Sequence, residues 1–158
     1  MTEDARFEDG GERPLNLGAM DVEDIQVISS LVQDAVLPAN EIAFQKRHKR
    51  LGLLVNRVRW EDQETADRSG RPLERVQSVL SVENVQNVAS QGIERDSETV
   101  LSLLSIAFEE TEDGAGHVLL TFAGDGALRA SVETLELRLK DVTRPYLAPS
   151  GKAPSHPE

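Results

Sequence analysis

The first regular hydrophobic pattern along the chain begins after Asp21 and predicts an amphipathic helix. Apolar residues recur at helical spacing at Val22, Ile25, Ile28, Val32 and Val36. Asp21 can cap this helix, and Glu23 and Asp24 place negative charge on its first turn. Pro38 cannot continue it. The stripe therefore predicts a helix that ends before Pro38 and packs on an apolar surface.

After Pro38 the hydrophobic period changes to two, which is typical of β-strands. The alternation predicts seven strands, at residues 41–46, 51–60, 75–82, 87–92, 100–109, 117–123 and 127–131. Lys46 to Arg50 form the turn of the first hairpin, and the Gly124-Asp125-Gly126 run predicts another hairpin turn rather than a phosphate-binding loop. The polar segment 61–73 reads as a surface loop.

One segment admits a helix as well as a strand, and a second segment predicts a helix. Residues 98–106 could form a helix capped by Ser97, although the alternation of Leu104, Ile106 and Phe108 favours a strand. At the end of the domain, residues 132–142 place Val132, Leu135, Leu139 and Val142 on one helical face, and we predict a final helix there.

These elements predict an α+β fold that is mainly an antiparallel sheet. Connections of a few residues favour antiparallel neighbours over parallel crossovers. Seven strands followed by a helix is the plan of a pleckstrin-homology-like barrel, with the N-terminal helix as an addition. A half-open sheet with both helices on one face is the alternative.

Composition changes along the chain indicate one domain between two tails. Residues 1–13 are acidic and contain Gly10-Gly11, which predicts a flexible acidic arm. Residues 143–158 contain four of the seven prolines and predict a disordered tail. We expect a single α+β domain over residues 14–142.

The residue inventory excludes several classes of function. The 158 residues include no cysteine, which excludes a disulfide scaffold, a thiol nucleophile and a cysteine-based zinc site. His48 and His117 lie in different segments without a second ligand at useful spacing, so we predict no metal site and no cofactor. No apolar run is long enough to cross a bilayer, and no nucleophile motif is present. We therefore expect a protein that is not an enzyme.

The distribution of charge along the chain indicates a candidate binding site. The segment 45–60 contains six cations and no carboxylate, so it carries +6 in a chain of −11 and leaves −17 for the rest. The candidate anion-binding or partner-binding residues are Lys46, Arg47, Lys49, Arg50, Arg57 and Arg59, together with Arg129. Arg57 and Arg59 share one strand face and could clamp a carboxylate or phosphate. Alternatively, they pair with Glu74, Glu133 or Glu136 and hold the sheet edge.

Two functional hypotheses follow from this charge distribution. The first is a non-catalytic interaction module that binds an acidic protein partner through the basic hairpin and strand. The alternative is a binder of a small anionic ligand or an enzyme-accessory protein, with Arg57, Arg59 and Arg129 around the ligand in the mouth of the barrel. The net negative charge makes a nucleic-acid partner an unfavourable hypothesis, and a membrane partner is not expected.

An ordered set of short segments resembles a known family. The segments are Asp21-Val22-Glu23-Asp24, Gln33-Asp34-Ala35-Val36, Asn56-Arg57-Val58-Arg59-Trp60-Glu61, Gly92-Ile93, and Phe122-Ala123-Gly124-Asp125-Gly126 followed by Arg129, Val132 and Glu133. Over about residues 15–142 the chain resembles an uncharacterised, chiefly alphaproteobacterial family, the domain of unknown function 2948. The resemblance implies a cytoplasmic bacterial protein, and it brings no assigned activity, cofactor or catalytic residue.

Overall fold

The N-terminal helix forms where the hydrophobic stripe predicts it. In the computed structural model, which describes residues 14–94, 96 and 98–147, helix α1 spans Val22–Leu31. The Asp21 carboxylate accepts a hydrogen bond of 2.8 Å from the Asp24 N–H, and Ile25 and Ile28 are buried. The helix ends earlier than Pro38, because the chain turns at Asp34, which has a φ of 66°.

Eleven strands, all paired antiparallel, make up most of the remaining residues that the structure describes. They are β1 (Asn16–Ala19), β2 (Val36–Pro38), β3 (Ile42–Gln45), β4 (Arg50–Val58), β5 (Glu74–Val82), β6 (Val85–Gln91), β7 (Val100–Glu110), β8 (Gly116–Phe122), β9 (Ala127–Val132), β10 (Leu137–Asp141) and β11 (Tyr146–Leu147). The sheet order is β1-β10-β5-β4-β2-β7-β8-β9-β6, with β3 paired to β4 and β11 paired to β5. The mainly antiparallel α+β class is therefore confirmed.

Each of the seven predicted strands has its counterpart in β3 to β9, and the segment 98–106 contributes to strand β7 rather than to a helix. The count of seven is wrong, since β1, β2, β10 and β11 join the same sheet. The sheet is also open, with β1 and β6 at its two ends.

The predicted C-terminal helix over 132–142 is wrong, and with it the plan of a barrel closed by a helix. Residues Leu137–Asp141 form β10, between β1 and β5. Leu137, Leu139 and Asp141 are buried, whereas Arg138 and Lys140 between them are exposed. The segment therefore follows a period of two, and pairing on both sides outweighs the helical propensity of its Leu, Arg and Lys residues.

Other boundaries also differ from the sequence-based prediction. The predicted loop 61–73 contains a 3-10 turn at Trp60–Asp62 and a short helix, α2 (Gln63–Ser69). Tyr146 and Leu147, which we placed in the proline-rich tail, pair with Arg75 and Glu74 of β5. The predicted acidic arm, residues 1–13, and the rest of the tail, residues 148–158, lie outside the described residues.

The hydrophobic core lies between α1 and the inward faces of the strands. Ile25, Ile28 and Val32 pack into one cluster with leucines and valines from β4, β5 and β7 to β10. α1 lies along β7, where the Ile106 N–H donates to Ser29 Oγ at 2.9 Å. Among the residues that the structure describes, no helix is long and apolar enough to span a membrane.

The hairpin predicted at Gly124-Asp125-Gly126 is confirmed. Gly124 and Asp125 have φ values of 82° and 73°, and the Phe122 N–H donates to the Gly126 carbonyl at 2.8 Å. The end of β6 packs against this turn at Gly92, which has a φ of 69°. A Cβ on Gly92 would lie 2.9 Å from the Asp125 carbonyl oxygen, so only glycine fits there.

Candidate functional site

The strand β4 carries Arg57 into the interior of the protein. Leu51, Leu53, Val55 and Arg57 occupy alternate positions and are all buried, so Arg57 continues the core-facing side of the strand. Its side chain is 0 % exposed. A guanidinium in such a place requires acceptors of its own, because it cannot lose its charge.

Acidic side chains from two parts of the chain surround Arg57. Its Nη1 and Nη2 atoms donate to the two carboxylate oxygens of Glu61, each at 2.9 Å, and Nη2 also lies 3.0 Å from Asp141 Oδ1. Its Nε donates to Ser78 Oγ at 3.0 Å, and that hydroxyl donates to Asp141 Oδ1 at 2.6 Å. Burial alone would lower the pKa of Arg57, but the Glu61 and Asp141 carboxylates outweigh it and raise the pKa.

Arg59 is also enclosed and is only 2 % exposed. Its Nη1 donates to Glu74 Oε1 at 2.8 Å and lies 3.5 Å from Asp62 Oδ2. Asp62 also accepts from Arg71 at 2.7 Å, and this hydrogen bond raises the pKa of Arg71. Pairing with Glu74 is one of the alternatives that the sequence left open for Arg59.

Together these groups form an ion-pair network around two buried arginines, which we call the buried network although Glu61 and Glu74 are partly exposed. Its members are Arg57, Arg59, Glu61, Asp62, Glu74, Ser78 and Asp141. The network joins β4, β5 and β10 to the 3-10 turn that precedes α2. Its arginines already have carboxylate partners within this chain. We therefore interpret the network as structural, because it links strands within the protein. An external anion would have to compete with its carboxylates for the two arginines.

The other basic residues lie at the opposite end of β4, on an exposed turn between β3 and β4. Residues Lys46–His48 form a 3-10 turn, and Lys49 follows in the left-handed conformation with a φ of 55°. We call residues 46–50 the basic tip. All five are exposed. The register Gln45↔Arg50 confirms the predicted hairpin.

Two of the four cations of the basic tip are already paired. Arg50 Nε lies 3.0 and 2.9 Å from the two carboxylate oxygens of Glu83, and Lys49 Nζ lies 3.5 Å from Glu133 Oε1. Lys46 and Arg47 have no ion pair with any residue that the structure describes. Of the six cations in segment 45–60, we call these two uncompensated, which means that no carboxylate among the described residues pairs with them.

Arg129 lies apart from the other candidate residues. It is exposed on β9, between Leu119 of β8 and Ala89 of β6. Strands β2, β7 and β8 separate β9 from β4 in the sheet. The structure therefore does not bring Arg129 together with Arg57 and Arg59.

Sequence reasoning missed the acceptors of the buried network. Asp141 lies 84 positions from Arg57 along the chain, so spacing could not connect them. One signal was present: Leu135, Leu137 and Leu139 alternate with charged residues, and Asp141 continues the apolar register. Read as a strand, this segment would have placed one carboxylate on the buried side.

Trp60 and the end of α1 form a structural contact. The Trp60 Nε1–H donates to the Gln33 carbonyl at 2.9 Å, and the ring packs on Val58, Ala66 and Leu73. Arg75, nearby, donates to Asn56 Oδ1 at 2.6 Å, and burial lowers its pKa. The polar groups of Trp60 and Arg75 therefore hydrogen-bond within the protein.

Neither of two surface depressions in the described part of the chain gathers cations. One of about 400 Å³ is lined by Glu74, Thr143 and Arg144 with two prolines. One of about 380 Å³ lies over β2, β4 and β5 and is mainly apolar. Within residues 14–94, 96 and 98–147 no group of His, Asp and Glu side chains is placed to hold a metal ion.

Comparison with known proteins yields a family and no closer relative. The family model described as a protein of unknown function (DUF2948) matches residues 15–156, which is most of the chain. The match extends beyond residue 142, where the resemblance in the sequence ended. A search of the curated proteins and a search of the solved structures found no match.

Proposed function

The chain belongs to the DUF2948 family, and we propose that it is a non-catalytic interaction module that binds an acidic segment of a partner protein through the basic tip. Lys46 and Arg47 are the binding residues in this proposal, with Lys49 and Arg50 beside them. The proposal keeps the bacterial cytoplasm as the location, as the resemblance implies.

The observation that carries the proposal is the uncompensated charge of Lys46 and Arg47. Both side chains are exposed at the end of a hairpin whose strand β4 is anchored in the core. Binding a carboxylate there breaks no ion pair among the residues that the structure describes. A guanidinium such as that of Arg47 can also accept a carboxylate through two parallel hydrogen bonds.

The net negative charge of the chain and the small positive charge of the basic tip favour a protein partner. Nucleic acid binding depends on neutralising many phosphates, and a chain of net charge −11 with two uncompensated cations at the tip would be repelled by a long polyanion. A short acidic segment meets only the local positive charge, because exposed charges are screened beyond about 8 Å at physiological ionic strength.

A carbodiimide cross-linking experiment tests this function. The reagent joins a lysine amine directly to a carboxylate that it contacts, so cross-links from Lys46 or Lys49 to partner Asp or Glu residues should appear when the protein is treated in host extract. The doubly substituted variant Lys46→Glu with Arg47→Glu should lose the partner.

The matched control reverses two cations elsewhere. Lys140 and Arg144 are exposed and have no ion pair among the described residues, so Lys140→Glu with Arg144→Glu changes the net charge equally. This control should retain the partner and its cross-links. Equal loss in both variants would contradict a role for the basic tip.

A further inference from the structure

Strand β6 ends the sheet, and no strand within the described part of the chain lies beside one of its edges. β6 pairs with β9 along its other edge. At the opposite end of the sheet, helix α1 packs beside the terminal strand β1. An uncovered edge displays backbone N–H and C=O groups that can pair with another chain.

The hydrogen-bond alternation identifies which residues of β6 face outward. Because the Phe122 N–H bonds to Gly126, every second residue of β9 from Leu128 onward bonds to β8. The residues between them bond to β6, where they face Asn87, Ala89 and Gln91. Val88 and Ser90 therefore direct their N–H and C=O groups away from the sheet, and these groups have no partner among the described residues.

The usual protections of an edge strand are present only at the start of β6. A bulge lies between Val85 and Asn87, and the Val85 N–H donates to the Lys49 carbonyl at 2.9 Å. Beyond this point the strand contains no charged residue and no proline. Natural proteins block exposed edges with such residues, so an open edge of this length favours a site that another strand occupies.

The open edge starts at the basic tip. The Val85 to Lys49 hydrogen bond joins the first residue of β6 to the tip, and Glu133 contacts both Lys49 and Gln86. A strand laid along β6 therefore has one end beside the tip. This places a row of backbone hydrogen bonds next to uncompensated positive charge.

We propose that the acidic partner segment adds to β6 as an antiparallel strand, with its carboxylates at Lys46 and Arg47. Because β6 runs away from the tip, an antiparallel partner runs toward it, and its acidic residues lie at its C-terminal end. The backbone of the partner bonds to Val88 and Ser90, which is the mode of recognition called β-augmentation. This inference rests on the proposed function of the basic tip and specifies its ligand.

The charge of the tip argues for a partner rather than a second copy of this chain. Two copies paired through β6 in antiparallel fashion would place the two basic tips at opposite ends of the joint sheet, where neither meets the other strand's carboxylates: β6 contains none. The backbone of an acidic segment can hydrogen-bond to the β6 edge while its carboxylates pair with the cations of the basic tip.

Two synthetic peptides of identical composition test the proposal. One alternates threonine and valine and ends in three glutamates; the other carries the glutamates at its N-terminal end. We expect the first peptide to bind about tenfold more tightly. On binding, amide hydrogen exchange at Val88 and Ser90 should slow about 100-fold, since these N–H groups gain partners.

Substitutions at Ser90 separate strand addition from simple charge attraction. Ser90→Pro removes an outward N–H without removing a hydrogen bond to β9, and it should weaken the first peptide about tenfold. Ser90→Ala keeps the N–H and should bind as the wild type does. The melting temperature of each variant reports whether it is folded, and the exchange measurement on the unsubstituted protein does not depend on either variant.

The outcomes distinguish the two proposals. If Lys46→Glu with Arg47→Glu abolishes binding while Ser90→Pro and the exchange rates show no effect, strand addition is overturned and the function of the tip stands. If neither substitution affects binding, both proposals fail. Concentration-dependent dimerisation that protects Val88 and Ser90 without peptide would assign the edge to a second copy and overturn the acidic partner.

Discussion

The fully buried guanidinium of Arg57 depends on acceptors from three separate parts of the chain. Glu61, Ser78 and Asp141 each hydrogen-bond it. Strand alternation places Arg57 on the same face as Leu53 and Val55, but it could not show which face is inside. Alternation relates positions within one strand, whereas burial depends on which strands pair with it. The structure thus favours the structural role that the sequence left as an alternative.

Removing the charge of Arg57 should leave the buried carboxylate of Asp141 without its cationic partner. Arg57→Gln is expected to lower the free energy of unfolding by about 3–5 kcal/mol. Arg129→Gln, on the exposed face of β9, is the control and should change it by less than about 0.5 kcal/mol. Chemical denaturation of both variants measures the difference. A loss below about 1 kcal/mol in Arg57→Gln would show that the network contributes little.

The coupling between Arg57 and Asp141 can be measured separately. In a double-mutant cycle with Arg57→Gln and Asp141→Asn, we expect an interaction free energy of about 1–3 kcal/mol, because the two side chains are in contact and nearly excluded from water. Additive losses within about 0.5 kcal/mol would mean that the two residues stabilise the fold independently.

Among the elements, α1 and the strands β3 to β9 were predictable and β10 was not. α1 has one apolar stripe and an N-cap, and both signals are local. In and around β10, Leu135, Leu139 and Val142 also fit a helical face, so two periods competed over a short segment. The strand wins because β1 and β5 pair with both of its edges, and pairing partners are not visible in local spacing.

The buried face of α1 gives a direct prediction. Ile28→Asp places a carboxylate in the core without a partner and should lower the free energy of unfolding by at least about 3 kcal/mol. Val27→Asp makes the same kind of change one position earlier, where the side chain is 52 % exposed, and should cost less than about 1 kcal/mol. If thermal or chemical unfolding showed the same loss of stability in both variants, the assignment of Ile28 to the buried face of α1 would be contradicted.

The short strand β11 should contribute to stability despite its two residues. It pairs with β5, and Asn56 hydrogen-bonds the Tyr146 hydroxyl. Truncation after Pro145 removes β11, whereas truncation after Leu147 keeps it. The shorter protein should be less stable than the longer one by about 1–2 kcal/mol. Identical melting temperatures of the two truncated proteins would show that β11 does not stabilise the sheet.

Over the whole molecule, the fold redistributes the basic segment that stood out in the sequence. Two arginines enter the interior, two tip cations pair with Glu83 and Glu133, and Lys46 and Arg47 remain uncompensated. Composition predicted a positive region in an acidic protein. It could not predict how much of that charge would be neutralised, because every carboxylate involved comes from outside segment 45–60.

The dissociation constant of the C-terminally acidic peptide, compared between two charge-reversed variants, tests the central claim most directly. The wild type, Lys46→Glu with Arg47→Glu, and Lys140→Glu with Arg144→Glu are titrated at about 0.05 M and 0.15 M salt. We expect the tip variant to bind at least about tenfold more weakly than the wild type, with little remaining salt dependence, and the control to change by less than about twofold. Equal weakening of both variants, or none in the tip variant, would contradict binding at the basic tip.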